Sequence, residues 1–147
     1  MACTVYSIGY ERRTIEEFIE ILQAAKVNIL LDVREHPWSY KVNFRKNKLS
    51  AELAKAGIEY IHIPEAGNPK TIRKKYIKTE TVLRKYKSYL EKTGSGLVEI
   101  SDIIKIASKK GQNICLTCYE RDYSSCHRSV ITDALTSNAF KNKIIHL

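Results

Sequence analysis

Residues 28–33 read NILLDV, and residues 34–48 continue REHPWSYKVNFRKNK. The first stretch is a continuous apolar run ending at Asp32, Val33 and Arg34. A strand with one wet face would alternate polar and apolar residues. An unbroken run predicts a strand covered by helices on both faces, as in a parallel sheet. The polar residues that end it then gather at the carboxyl end of that strand.

The flanking sequence repeats this pattern. Upstream, TVYSIG (4–9) predicts a short buried strand, and TIEEFIEILQAAK (14–26) places Ile15, Phe18, Ile19, Leu22 and Ala25 on one helical face. Thr14 followed by Glu17 is a capping-box start. Downstream, the basic and aromatic connection 34–48 has no periodicity, and a loop that long inside one domain is commonly functional. A short helix is expected around SAELAKAG (50–57), a strand at IEYIHI (58–63) and turn chemistry at PEAGNPK (64–70). Ile72, Tyr76, Leu83, Tyr86 and Leu90 recur at helical spacing up to Gly94. LVEISDIIKIASKKG (97–111) predicts a further helix, NICLT (113–117) a fourth strand, CHRSVITDALTS (126–137) a helix and KIIHL (143–147) a closing strand. Strands alternating with helices give an α/β fold: a single domain over residues 1–147, with a mostly parallel sheet flanked by helices. At 147 residues the chain has the size of one ordinary domain.

In open sheets of this kind, ligands bind beyond the carboxyl ends of the strands. The residues expected there are Gly9, Tyr10, Glu11 and Arg12 after the first strand, and Asp32, Arg34 and Glu35 after the second. His62 and Glu65 follow at the third, and Cys118 and Glu120 after the fourth. Each also has a structural alternative; Asp32 and Arg34 can simply pair with each other.

The segment CLTCYERDYSSCHRS (115–129) holds three of the four cysteines. Cys126, His127 and Arg128 are expected in the first turn of a helix capped by Ser124 or Ser125. Such a turn attracts anions and lowers a thiol pKa. Cys126 is then the candidate reactive thiol, His127 its candidate base, and Arg128 an anion ligand or a partner for Asp32 or Glu120. Cys118 is a second thiol or a pocket wall. The spacing of Cys115 and Cys118 along a strand turns their side chains to opposite faces, so a thioredoxin-type pair is not expected and Cys115 belongs to the core. Cys3 is read as core or terminus. Zinc is weighed because Cys118, Cys126 and His127 are good ligands, with His62 or His36 as a fourth. It ranks below the other readings because the sequence has no second CxxC or HxxxH pair and adjacent helical residues point about 100° apart. No residue is therefore assigned to a metal, and no cofactor is identified.

Residues 41–92 hold 14 Lys and Arg against 5 Asp and Glu, a balance of +9 that equals the net charge of the whole chain. A surface of this kind attracts polyanions, or is merely a solvated helix face. Lys41, Arg45, Lys74, Lys75, Arg84 and Lys85 are the candidate nucleic-acid contacts. No apolar run approaches membrane-spanning length and the N-terminus lacks a signal-peptide pattern, so a cytoplasmic protein without a membrane partner is expected. The oligomeric state is not legible.

Taken together, SIGYERRTIEEFIEIL, LLDVREHPWSYKVNFRKNKL, GIEYIHIPEAGNP and CLTCYERDYSSCHRSVI resemble the motifs of the domain-of-unknown-function family 488. The resemblance carries family positions onto Gly9, Asp32, Arg34, Pro37, Ser39, Gly67, Pro69, Cys118, Glu120, Cys126, His127 and Arg128. Arg12 and the sequence PEAGNP depart from the usual family pattern. A fainter similarity to rhodanese domains rests on LLDVRE, on Cys118 and on Arg128–Ser129. The loop after Cys118 is too long for that active site.

The function expected from these readings is a polar Cys/His/Arg/Asp pocket at the strand ends that binds an anionic, phosphate-bearing ligand. Cys126, His127, Cys118, Glu120 and Asp32 are the candidate chemical groups. Arg34, Arg128, Gly9, Tyr10, Glu11, Ser39 and His62 are the candidate ligand contacts. Whether the protein is an enzyme stays open. A non-catalytic nucleic-acid-binding module using the basic 41–92 segment is the second reading, and a structural zinc site the third.

Overall fold

The computed structural model describes residues 4–74, 76–137 and 142–147; Cys3 and Lys75 lie outside them. The apolar stretches form five strands: β1 (Thr4–Gly9), β2 (Val27–Asp32), β3 (Glu59–His62), β4 (Asn113–Cys118) and β5 (Lys143–His146). They make one sheet in the order β3-β2-β4-β1-β5, with every pairing parallel. This order explains the apolar run. β2 lies between two strands and is buried at every position except Asn28, which sits at a bulge and accepts a hydrogen bond from the Asn113 amide at 2.8 Å. The edge strands β3 and β5 are only half-buried.

Helices α1 (Ile15–Ala24) and α2 (Lys46–Lys55) cover one face, where Phe18, Leu22, Leu49 and Leu53 pack on Ile8, Leu30 and Cys115. Helices α3 (Thr79–Thr93), α4 (Ser95–Lys109) and α5 (Arg128–Leu135) cover the other, with Tyr86, Leu90, Ile104 and Leu135 packing on Val5, Leu31 and Leu116. Cys115 faces the first cluster and Cys118 the second, as alternation along a strand requires. Thr14 caps α1, accepting from the Glu17 amide at 3.1 Å.

Three boundaries differ from the periodicity. α2 begins at Lys46, one turn before Ser50, because Leu49 and Leu53 bury the same helical face. α3 begins at Thr79 rather than Ile72. Tyr76 is 97% exposed, so it adds nothing to an apolar face, and residues before it are held by turn bonds from the Ile72 and Arg73 amides to the Pro69 carbonyl. Finally, α5 begins at Arg128. Cys126 precedes it with extended backbone, and Ser124 and Ser125 belong to a separate 3-10 turn capped by Asp122.

The crossovers position the site. The chain leaves β1 and β2 toward the α1/α2 face but leaves β4, which lies between them, toward the α5 face. Loops diverging from neighbouring strands open a crevice at their carboxyl ends. The β4 loop also presses onto the end of β1: Tyr10 and Glu11 donate amide bonds to the Cys118 and Tyr119 carbonyls. A Cβ at Gly9 would stand 1.8 Å from the Glu120 carbonyl oxygen, so only glycine fits there. Among the described residues, no helix is long and apolar enough to cross a membrane.

Candidate functional site at the strand ends

Asp32 ends β2 and is fully buried. Its carboxylate receives Arg34 in a two-point pair, Nε to Oδ1 at 2.9 Å and a terminal nitrogen to Oδ2 at 2.7 Å. The Arg34 amide and the Tyr60 hydroxyl, which comes from β3, also donate to it. A buried carboxylate needs this many donors to remain charged. Burial works against the Arg34 charge, but the hydrogen bond and charge of Asp32, helped by Tyr10, outweigh it and raise the guanidinium pKa. Burial and the adjacent Asp32 charge push the Tyr60 phenol upward, which keeps it a neutral donor. Arg34 also donates to the Tyr10 hydroxyl at 3.2 Å, and Tyr10 stacks on Phe44 with ring centroids 4.6 Å apart. Asp32 thus fixes Arg34, and Arg34 fixes Tyr10, at the mouths of β1 and β2.

These groups border a cavity of about 800 Å³. Its charged lining comprises Arg34, Lys41, Arg73 and Lys74 against the carboxylates of Glu35 and Glu120, with His36 beside them. Its aromatic lining is Tyr10, Trp38, Tyr40 and Tyr119. Glu35 anchors the far wall, contacting Arg73 at 3.5 Å and accepting from the Lys70 amide. Gly67 backs directly onto the Glu35 backbone, so a side chain there would displace that wall. Asn68 is buried in the same wall, and its Oδ1 has no hydrogen-bond partner among the described residues.

At the cavity floor, the sulfurs of Cys118 and Cys126 are paired as a disulfide, with Cα atoms 7.7 Å apart. His127 Nε2 donates to the Val33 carbonyl at 2.7 Å, which leaves Nδ1 as the acceptor, 3.7 Å from Cys126 Sγ. Burial lowers the His127 pKa to about 4, against the opposing effect of the Val33 bond. The imidazole is therefore neutral at physiological pH, and it would hold a thiol proton poorly. Glu120 Oε2 lies 3.5 Å from Cys118 Sγ, and burial raises its carboxyl pKa.

Arg128 is almost wholly buried behind this floor. It donates to Ser7 Oγ at 3.0 Å and to the Glu120 carbonyl. Ser7 Oγ in turn lies against His146 Nδ1, so Arg128 ties the β4 loop to β1 and β5.

The family described as Domain of unknown function DUF488 matches residues 14–135, most of the chain. The chain belongs to this family. No curated protein and no solved structure matches it.

In this DUF488 protein, Tyr10, Arg34, Ser39, Lys41, Lys74, Cys118, Glu120 and His127 meet at the cavity. Other residues singled out in the sequence lie elsewhere. Gly9 is packed under the β4 loop, and Glu11 accepts from the Arg121 amide. Asp32 stands behind Arg34, and the His62 ring donates to the Arg34 carbonyl from outside the cavity. Cys126 faces Cys118, and Arg128 is a buried brace. Arg45 lies over the Trp38 ring at 4.8 Å and steadies it at the mouth. Arg84 and Lys85 are exposed on α3, away from the lining. Asn68, Arg73 and Tyr119 also line the cavity, without having been expected there from the sequence. Arg73 was masked by the helical spacing assigned to its segment. The turn residues around Gly67 were the available signal for Asn68.

Proposed function

We propose that the strand-end cavity of this DUF488 protein binds an anionic ligand with a planar body, a nucleotide being the chemical class that fits. The observation that carries this reading is the lining itself: four cationic side chains against two carboxylates, interleaved with four aromatic rings, in a cavity of about 800 Å³. Lys41, Arg73 and Lys74 supply charge for a phosphate, and Trp38 and Tyr40 supply faces for a base. Arg34 is held in place by Asp32, which lowers the entropy lost on binding.

Lys41→Ala combined with Arg73→Ala should weaken a nucleoside monophosphate at least tenfold, about 1.4 kcal/mol, by isothermal titration calorimetry. Arg84→Ala with Lys85→Ala should leave that affinity unchanged. Equal affinity in all three proteins would place the ligand elsewhere.

A second reading, a nucleic-acid-binding module, is favoured by the exposed aromatics Trp38 and Tyr40 just before the basic 41–92 segment and Tyr76 within it. Under it, a single-stranded oligonucleotide binds far more tightly than the mononucleotide, loses affinity steeply with salt, and depends on Arg84 and Lys85.

A further inference from the structure

We infer that in its reduced form the protein holds a divalent zinc-class ion between Cys118, Cys126 and His127. The two Sγ atoms and a His127 ring nitrogen all lie within 4.8 Å of one another, and all three residues are buried. They reach this point from different elements: Cys118 from the end of β4, Cys126 from the turn before α5, and His127 from the cap of α5. Adjacent residues point about 100° apart only where both sit on the helix. Cys126 does not, and its extended backbone brings its sulfur to the same side as the His127 ring.

The surroundings favour a metal. His127 Nε2 donates to the Val33 carbonyl at 2.7 Å, which fixes the tautomer with Nδ1 free and the ring oriented, the outer-sphere arrangement typical of ligating histidines. The Arg128 amide lies 3.5 Å from Cys126 Sγ, as a donor to a thiolate would. The Cα separation of Cys118 and Cys126, 7.7 Å, exceeds the roughly 4.4–6.8 Å usual for a disulfide. An ion between the sulfurs accommodates the wider span. Glu120 Oε2, 3.5 Å from Cys118 Sγ, can supply a fourth ligand. Two thiolates, a carboxylate and the ion carry net charge −1. The Arg128 guanidinium donates to the Glu120 carbonyl, beside the proposed fourth ligand, and among the described residues no carboxylate pairs with it within 4 Å. Binding follows Zn²⁺ + 2 RSH → Zn(SR)₂ + 2 H⁺, with both thiol protons released to solvent. No oxidant is needed.

Cys118 and His127 also line the cavity, so the ion would form part of its floor. The inference does not rest on anion binding, because the test uses metal alone. Chelator-stripped protein, reduced and kept anaerobic, is loaded with zinc or cobalt(II), desalted and analysed for metal. One ion per chain is expected, with a thiolate-to-cobalt charge-transfer band. Cys118→Ser combined with Cys126→Ser should lower retention at least tenfold, while Cys115→Ser, on the opposite sheet face, should retain a full equivalent. No metal uptake by the reduced wild-type chain overturns the inference. So does bound cobalt without the thiolate band, a readout that needs no variant to fold. Equal retention by the double variant also overturns it.

Discussion

Asp32→Ala should destabilise the protein by about 3–5 kcal/mol, the usual loss when one partner of a buried ion pair is removed. Asp32 is wholly buried and accepts from Arg34, from the Arg34 amide and from Tyr60. Its removal leaves a guanidinium that is 7% exposed without its counter-charge. Replacing both Asp32 and Arg34 by apolar residues should cost clearly less than the sum of the two single changes, because neither charge is then left alone. Tyr60→Phe should cost only about 1 kcal/mol, a single hydrogen bond. Urea unfolding of the four variants measures this directly. A loss below about 1 kcal/mol for Asp32→Ala would show that water solvates Arg34 in the native state.

Arg128→Ala is expected to cost a similar amount, about 3–5 kcal/mol, through a large cavity and the unpaired Glu120 carbonyl. Arg128 is among the largest fully buried side chains, and it braces the β4 loop against β1. Arg128→Met, which keeps the stem volume, should recover part of the loss. The same variants separate a brace from a ligand contact. If Arg128→Ala stays within about 1 kcal/mol of wild type and loses nucleotide affinity, Arg128 is a ligand contact rather than a brace. A large stability loss, with affinity kept by the protein that remains folded, supports the brace.

The parallel sheet was legible because NILLDV can be satisfied only where helices cover both strand faces, and β2 does lie between two strands. The start of α1 was legible because a cap is a local interaction between Thr14 and Glu17. Boundaries set by tertiary contact were not. Tyr76 fits the helical spacing of Tyr86 and Leu90 but faces solvent, and periodicity alone does not reveal whether a face has a partner. Arg128 at a helix start reads as an anion ligand or as a partner for Asp32 or Glu120, because a helix N-terminus attracts anions. Its burial depends on the β1 and β4 loop contacts, which lie more than one hundred residues apart for Ser7. The polar residues after β1, β2 and β4 could be expected near one another from the sequence, since the strand-end rule needs only the topology. Their division into pocket wall, brace and floor depends on tertiary contacts between residues far apart in the chain.

Trp38 is the chain's one tryptophan and lines the cavity half-exposed, so its fluorescence reports on that site alone. The most direct measurement is its titration with a nucleoside monophosphate at low salt, followed by competition with inorganic phosphate. A saturable change that phosphate reverses, and that Lys41→Ala with Arg73→Ala shifts at least tenfold to higher concentration, is the predicted result. A flat signal up to millimolar ligand, or a change that the double variant leaves in place, would contradict an anion site at the strand ends.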